Sequence, residues 1–372
     1  MRLVRVRTTQ RAELRTSVLA AVLLASSVTA PRHQRSCRAE SGGAIRMRGR
    51  AIGLGLLGLG AFLLAAALCV RLILEPALVK LPLDQTAEPT ADGTDVEWLD
   101  LATGEQLRNL EADVRQKVQG DPGSEAATDD VAVWNFGSTV TSTDGTLLNA
   151  GTYRVCIDRR SAEAVPCDVD HVDYDDDLDI EGLTLTFPFG TEKRDYDVFN
   201  STTRQAFPAT FEGEEELGGL DVYRFQLSIP ETVIRELDAP GTLVGEPDQP
   251  TVSAEVVYSN ERTIWVEPRS GVIVTSEESP VTVLRGPDGE DAATILSGTF
   301  AGSEDTIADG VERAEDIRGQ IVLVQTVLPL SLAGVGLVLL LVGIFLVRRA
   351  RPAGDQWDDS YDTPAVREPQ VQ

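Results

Sequence analysis

Two uninterrupted apolar runs break an otherwise alternating chain. Residues 51–70 carry no charge and lead through Arg71 to an apolar triplet ending at Leu74, and residues 321–347 form a second uncharged run. About 20 apolar residues at 1.5 Å rise cross the ~30 Å hydrocarbon layer of a bilayer. Each run therefore predicts a membrane-crossing helix, over 51–74 and over 321–347. A soluble core helix of that length would be expected to keep a polar face. Gly53, Gly55, Gly58 and Gly60 thin the first helix without a GxxxG spacing, which reads as tolerance for close packing and not as a dimer motif.

The arginines around the two runs set an orientation. Arg46, Arg48 and Arg50 precede the first and Arg348, Arg349 and Arg351 follow the second, so the positive-inside bias places both termini in the cytoplasm. Residues 75–320 then form a domain outside a plasma membrane crossed twice. Upstream, an apolar stretch at 17–25 after five arginines, with Val28-Thr29-Ala30 behind it, is signal-like. A cleaved signal would deliver Arg46, Arg48 and Arg50 to the outside, against the charge bias. The favoured reading therefore treats 1–46 as an extension of doubtful status, with Met47 as the natural start, and leaves a signal-like leader as the alternative. The polar segment 348–372, with Pro352, Pro364 and Pro369, is expected to be a disordered cytoplasmic tail.

Between the runs the apolar residues alternate and turn residues interrupt them. Strands are predicted over 131–136, in a return run from Leu147 through 152–160, and, after a turn at 160–162, in the segment leading to Cys167. Further strands are predicted over 183–187, 209–212, 220–229, 251–259, 262–267, 271–277 and 293–300, with Thr143-Asp144-Gly145 as a hairpin turn. Short strands without room for helical crossovers mean a mainly antiparallel β-domain. One stretch stays open on periodicity alone. Leu107, Leu110, Val114 and Val118 fit a helical stripe, while Leu110, Ala112, Val114 and Val118 fit a strand face.

Charge narrows the chemistry. Residues 75–320 hold 17 basic and 52 acidic side chains, a balance of 17 − 52 = −35. Nucleic-acid binding needs clustered cations, so it is excluded as a function class for this segment. Anionic headgroups as a docking surface are disfavoured on the same ground. His171 is the one histidine of the segment, and no nucleophile elbow, CxxC pair or phosphate loop accompanies it. No enzyme, cofactor or metal is expected. The acidic run Asp168, Asp170, Asp173, Asp175, Asp176, Asp177, Asp179 and Glu181 begins with calcium-loop spacing, but Leu178 and Thr184 stand where that loop needs Gly and Glu. It reads as a solvated acidic loop. Asn200-Ser201-Thr202 is a sequon of the kind that arises by chance. Cys156 and Cys167 flank the turn near Ser161 in a compartment where disulfides persist, which makes them a disulfide candidate.

Three strings are distinctive: LILEPALVKLPLDQT at 72–86, FPFGTEKRDYDVFNSTTRQAFPATFEGEEELGGLDVYRFQ at 187–226, and RTIWVEPRSGVIV at 262–274. With them the chain resembles the actinobacterial porin PorA family over 47–351, with Phe187, Pro188, Phe189, Gly190, Trp265, Pro268 and Gly271 as the motif residues. The resemblance implies a cell-envelope membrane protein of actinobacteria, some of whose relatives look connected with lipoglycans, and it turns 110–120 towards strand. The phrases EGEEELGGLDVYRFQL and RTIWVEPRSGVIV also resemble half-barrel envelope lipoprotein carriers, which implies a curved sheet or partial barrel around an apolar cavity. The function these resemblances imply is binding or transfer of an envelope lipid or lipoglycan. The alternatives are an accessory scaffold for a membrane glycosyltransferase assembly, with other envelope-biosynthesis membrane proteins as partners, or an oligomeric channel. A membrane barrel needs strands of about ten residues with an apolar outer face, and the strands read here are short and acidic.

Overall fold

A computed structural model describes residues 41–349 apart from Tyr174 and Asp177. The leader expected over 1–46 and the tail expected over 348–372 lie outside these residues except at their inner ends. Residues 41–46 belong to helix α1 (Ser41–Cys69), and Arg348 and Arg349 close the last helix. After α1 come a π-helical turn (Val70–Leu74) and a short helix α2 (Glu75–Leu78). The chain then builds twelve strands. In order they are β1 (Thr86–Ala87), β2 (Thr90–Asp100), β3 (Glu105–Gly120), β4 (Val131–Ser142), β5 (Leu147–Asp158), β6 (His171–Val172), β7 (Tyr196–Asn200), β8 (Gln205–Leu217), β9 (Leu220–Ala239), β10 (Val252–Val266), β11 (Ile273–Arg285) and β12 (Asp291–Gly302). Helix α3 (Glu304–Val322) follows, then a second π-helical turn (Leu323–Val327) and α4 (Leu328–Arg349).

The fold is mainly β, as the alternation predicts. Eleven strands form one antiparallel sheet in the order β6-β5-β4-β3-β2-β12-β11-β10-β9-β8-β7, and β1 pairs with β3. Two meanders, β2 to β6 and β7 to β12, thus meet where β12 pairs with β2. The sheet curls into a half-barrel. At one end its edges are joined by single-residue bridges, Ile157 to Ala164, Glu163 to Leu183, and Leu183 to Val198. At the other end, among the described residues, the first part of β5 before Thr152 and the part of β9 beyond Ile229 have no partner strand on their outer sides.

Several strand readings need correction. The strands are long, up to 20 residues in β9, because polar alternation continues where apolar residues thin out. Residues 251–259 and 262–267 are one strand, β10, running through Asn260-Glu261 without a turn. Prolines mark the places where a break was read. Pro230 sits at a β9 bulge, since Thr232 pairs with Tyr258 and Ile229 with Asn260. Pro280 falls in the gap between the Glu278–Phe300 and Val281–Ser297 pairs, where the β11–β12 pairing lapses, and Pro208 lies just before β8 begins its pairing with β9. A sheet accepts proline at such irregular or edge positions, where no ladder N–H is needed. Residues 183–187 form bridges and no strand, and the segment after the 160–162 turn forms only isolated bridges. The strands β2 and β7 and the helix α3 were not read from the sequence. The ambiguous stretch is strand β3. Its exposed residues Glu111, Asp113, Arg115, Lys117 and Gln119 alternate with buried Ala112, Val114 and Val118.

The two terminal helices are long and apolar enough to cross a membrane, over Arg50–Leu78 and Glu304–Arg349. Their large apolar side chains are uncovered, Phe62 at 67% and Leu330 at 66% exposure. Residues 56–342 make one compact unit, and the ends of the two helices around Gly53 and Gly343 make another. In the first, a Cβ on Gly60 would stand 2.7 Å from the Gly336 carbonyl oxygen; in the second, one on Gly53 would meet Val347 at 2.9 Å. Gly55 and Gly58 face open space. At the domain end, Gln325 Nε2 donates to Glu75 Oε1 at 2.9 Å. The described portions of the chain therefore combine a water-facing β-domain with two membrane-length helices.

Candidate ligand-binding groove

The concave face of the sheet is only partly filled. At the bridged end, Phe187 packs on Phe225 and Tyr196 with ring centroids 4.9 and 5.4 Å apart, and Tyr153 lies between Phe136 and Phe199. Such edge-to-face and tilted pairs add to the burial of large apolar surfaces. Above this floor a groove of about 770 Å³ runs along the inside of the half-barrel. Trp98, Trp134, Phe136, Val140, Phe199 and Leu296 supply its apolar walls, and Arg313 and Ile317 of α3 border it. Asn149, Ala150 and Gly151 of β5 and Ile234 and Arg235 of β9 line it as well, so it reaches both unpaired strand edges.

The sheet register explains how polar groups come to stand inside. One inward-facing row crosses nine strands through Tyr196, Ala209, Leu227, Arg262, Glu278, Phe300, Gly93, Ala112 and Ser142. Arg262 and Glu278 are its only charged members. Gly93 is glycine because the Phe300 ring lies over it, and a Cβ there would meet that ring at 2.7 Å. Asn260 Nδ2 donates to Glu278 Oε2 at 3.1 Å, and Arg262 Nη2 donates to Ser276 Oγ at 3.4 Å. Arg262 Nε, Asn260 Oδ1 and Thr184 Oγ1 are buried and find no hydrogen-bond partner among the described residues. Burial pushes the Tyr258 phenol up to about 12, with the Glu278 carboxylate adding to the rise and Asn200, Asn260 and Arg262 opposing it. Burial also raises Tyr153, against the pull of the Arg262 cation. Both phenols stay neutral near pH 7 and can serve as hydroxyl donors.

The motif strings come together at the floor. Gly271 lies in the β10–β11 turn at φ +69°, its carbonyl accepting the Phe187 N–H at 2.9 Å, and the Gly190 N–H reaches the Arg269 carbonyl at 3.2 Å. Phe189 lines the groove, Pro268 sits in the same turn as Gly271, and Pro188 accepts the Thr191 hydroxyl on its carbonyl. Trp265 faces the other way and donates its indole N–H to Glu215 at 2.8 Å. The buried Glu267 carboxylate holds the turn by accepting the Ser270 N–H at 2.7 Å.

Cys156 and Cys167 are bonded, with Cα atoms 6.2 Å apart. Three members of the acidic run beside them are held by protein partners. Asp170 accepts the Cys156 N–H at 2.8 Å, Asp173 accepts the Thr152 N–H at 2.9 Å, and Asp175 pairs with Arg204. Asp177 lies outside the described residues. Among the described residues the one tight group of metal-ligand side chains is Cys156, Cys167 and Asp170, whose sulfurs are already in the disulfide. His171 is paired across β5 with Arg154, and the Asn200 side chain caps the next turn through the Thr203 N–H at 2.9 Å. The spacing of Arg262 and Glu278 in different strands hid the polar row from sequence reading. The one signal was a charged residue at an inward position of the alternating run around RTIWV.

Comparisons with known proteins agree with this architecture in extent. A family model described as Porin PorA matches residues 52–345. A Porin PorA of Corynebacterium amycolatum is 24% identical over 377 residues, covering 79% of this chain and 97% of that protein. A Porin PorA of Corynebacterium resistens is also 24% identical, over 62% of this chain and 75% of its own. Among solved structures, a candidate lipoprotein of Parabacteroides distasonis is 10% identical over 59% of this chain and 94% of its own, with a TM-score of 0.17, too low to carry an argument. The match over both membrane-length helices and the whole sheet between them makes this chain a member of the Porin PorA family.

Proposed function

We propose that the half-barrel is a membrane-tethered binding module that shelters the apolar part of an envelope lipid or lipoglycan outside the plasma membrane. The observation that carries this reading is the groove itself. A volume of about 770 Å³ suits a small amphiphile, and its walls mix aromatic surface with a few placed polar groups, as ligand sites do. The orientation follows from the arginine collars, with both termini inside. Native mass spectrometry of the full chain, extracted in a mild neutral detergent, is expected to show a retained lipid mass. Protein that carries no lipid and takes up none when offered membrane extract would overturn the reading.

A channel is the second reading, favoured by the porin names of both relatives. The sheet would not form the pore wall. Glu111, Asp113, Arg115 and Lys117 stand exposed along the outer side of β3, where a membrane barrel presents apolar residues to lipid. Conduction would therefore require several chains to assemble around their paired helices. Unitary conductance steps from purified protein in planar bilayers, together with an oligomer in the same native spectra, would favour it.

A further inference from the structure

Arg262 is a cation inside the groove whose guanidinium, among the described residues, holds no carboxylate oxygen within ion-pair distance. Arg154, Arg224 and Arg285 each hold a carboxylate oxygen within 3.0 Å. Arg262 faces Glu278 in register, yet among the described residues no ion pair within 4 Å joins it to any acid. The Glu278 carboxylate is instead turned to the Asn260 amide. Of five guanidinium N–H donors, one makes a long bond to Ser276 and the buried Nε–H makes none. A sheltered charge with unspent donors is costly to keep unless something completes it. A fork of N–H groups fits the oxygens of a phosphate or carboxylate. The Tyr153 phenol lies within reach of its charge, and the Phe136 and Phe199 rings pack on Tyr153, so the cation adjoins the aromatic lining of the groove.

From this we infer that the groove selects anionic amphiphiles, their phosphate or carboxylate seated on Arg262 and their hydrocarbon on the aromatic walls. The inference rests on the reading of the groove as an amphiphile site and adds the class of head it accepts. Glu278 then acts as a restraint on selection, since its charge opposes an incoming anion.

The test offers the full chain, in a neutral detergent, equal amounts of dodecyl phosphate and monolauroyl glycerol, and counts the retained molecules by native mass spectrometry. Inorganic phosphate is offered in a separate arm. Wild type is expected to retain the phosphate amphiphile about tenfold over the neutral one, the size of one charge-assisted contact. Arg262→Gln is expected to bring that ratio to about one while still holding monolauroyl glycerol, and Arg262→Lys to keep part of it. Glu278→Gln is expected to raise it, which keeps the test decisive if the Arg262→Gln chain does not fold. Equal retention by wild type, or a preference unchanged in Arg262→Gln, overturns the inference and leaves the amphiphile reading standing. Retention of neither amphiphile overturns both. Uptake of inorganic phosphate alone, lost in Arg262→Gln, overturns the amphiphile part and assigns the arginine to a free anion.

Discussion

The carbonyl oxygen of Phe187 lies 2.1 Å from where a Cβ on Gly271 would stand, while the Phe187 N–H is hydrogen-bonded to the Gly271 carbonyl at 2.9 Å. Two segments 84 positions apart in sequence are thereby locked backbone to backbone at the floor of the groove. Gly271→Ala would have to move backbone and also adopt φ +69° with a side chain. A loss of about 1–3 kcal/mol is expected. A lowered melting temperature of the full chain in neutral detergent micelles checks this; an unchanged melt would mean that the two segments are not held as described.

Asp170 gives the domain a pH signature. Burial holds its carboxyl up at about 6, against the pull of the Cys156 and Cys167 backbone N–H groups, where an unfolded aspartate sits near 3.8. The folded state thus binds a proton that the unfolded state has released. That contribution is complete below about pH 4 and is lost as pH rises through about 6. Stability curves for wild type and Asp170→Asn should therefore diverge across this window, the variant lacking the downward slope. Parallel curves would remove Asp170 from the account.

The paired helices distinguish two kinds of glycine. Gly60→Val places methyl groups against the Gly336 backbone, while Gly55→Val meets nothing within 4 Å. Close helix contact in a bilayer depends on small residues at the interface. A cysteine pair placed at Glu75 and Gln325, whose side chains touch at 2.9 Å, should cross-link less readily in Gly60→Val than in wild type, and equally in Gly55→Val. Identical yields in all three chains would count against the intramolecular pairing.

Asn149 is exposed on the unpaired part of β5, lines the groove and stands opposite inward-facing Val140. A tryptophan there adds bulk at the edge of the groove without entering the packed floor. Asn149→Trp is expected to leave the melting temperature within about 1 °C, as surface changes away from the core do, while cutting lipid retention severalfold. Retention at the wild-type level would place ligand entry elsewhere.

How much of this was legible in the sequence follows from what each element depends on. The two apolar runs needed only their length, and the glycines within them only their spacing, although which ones touch the partner helix is decided by rotation about the helix axis. Strand β3 was ambiguous because Leu110, Val114 and Val118 satisfy both periods; its pairing with β2 and β4 decides the matter. Prolines 208, 230 and 280 misled the strand boundaries, since proline ends a strand only where a neighbour needs its N–H. The helix α3 escaped notice because its apolar residues are few and its buried positions ahead of the uncharged run, Gly310 and Ala314, are small. Arg262 and Glu278, 16 positions apart, become neighbours only through the β10–β11 hairpin.

Local chemistry in the chain was sufficient for what depends on solvent: hydrocarbon runs partition into lipid, alternating residues form a two-faced sheet, and an excess of carboxylates keeps the outer face in water. Register and curl belonged to the tertiary structure alone. They gather one residue from each of nine strands into a single row and leave space above it, because a sheet that bends far enough to join its edges at one end cannot also fill its hollow with side chains. That hollow, and the arginine inside it, are the consequence of pairing between distant segments, which no window of sequence contains.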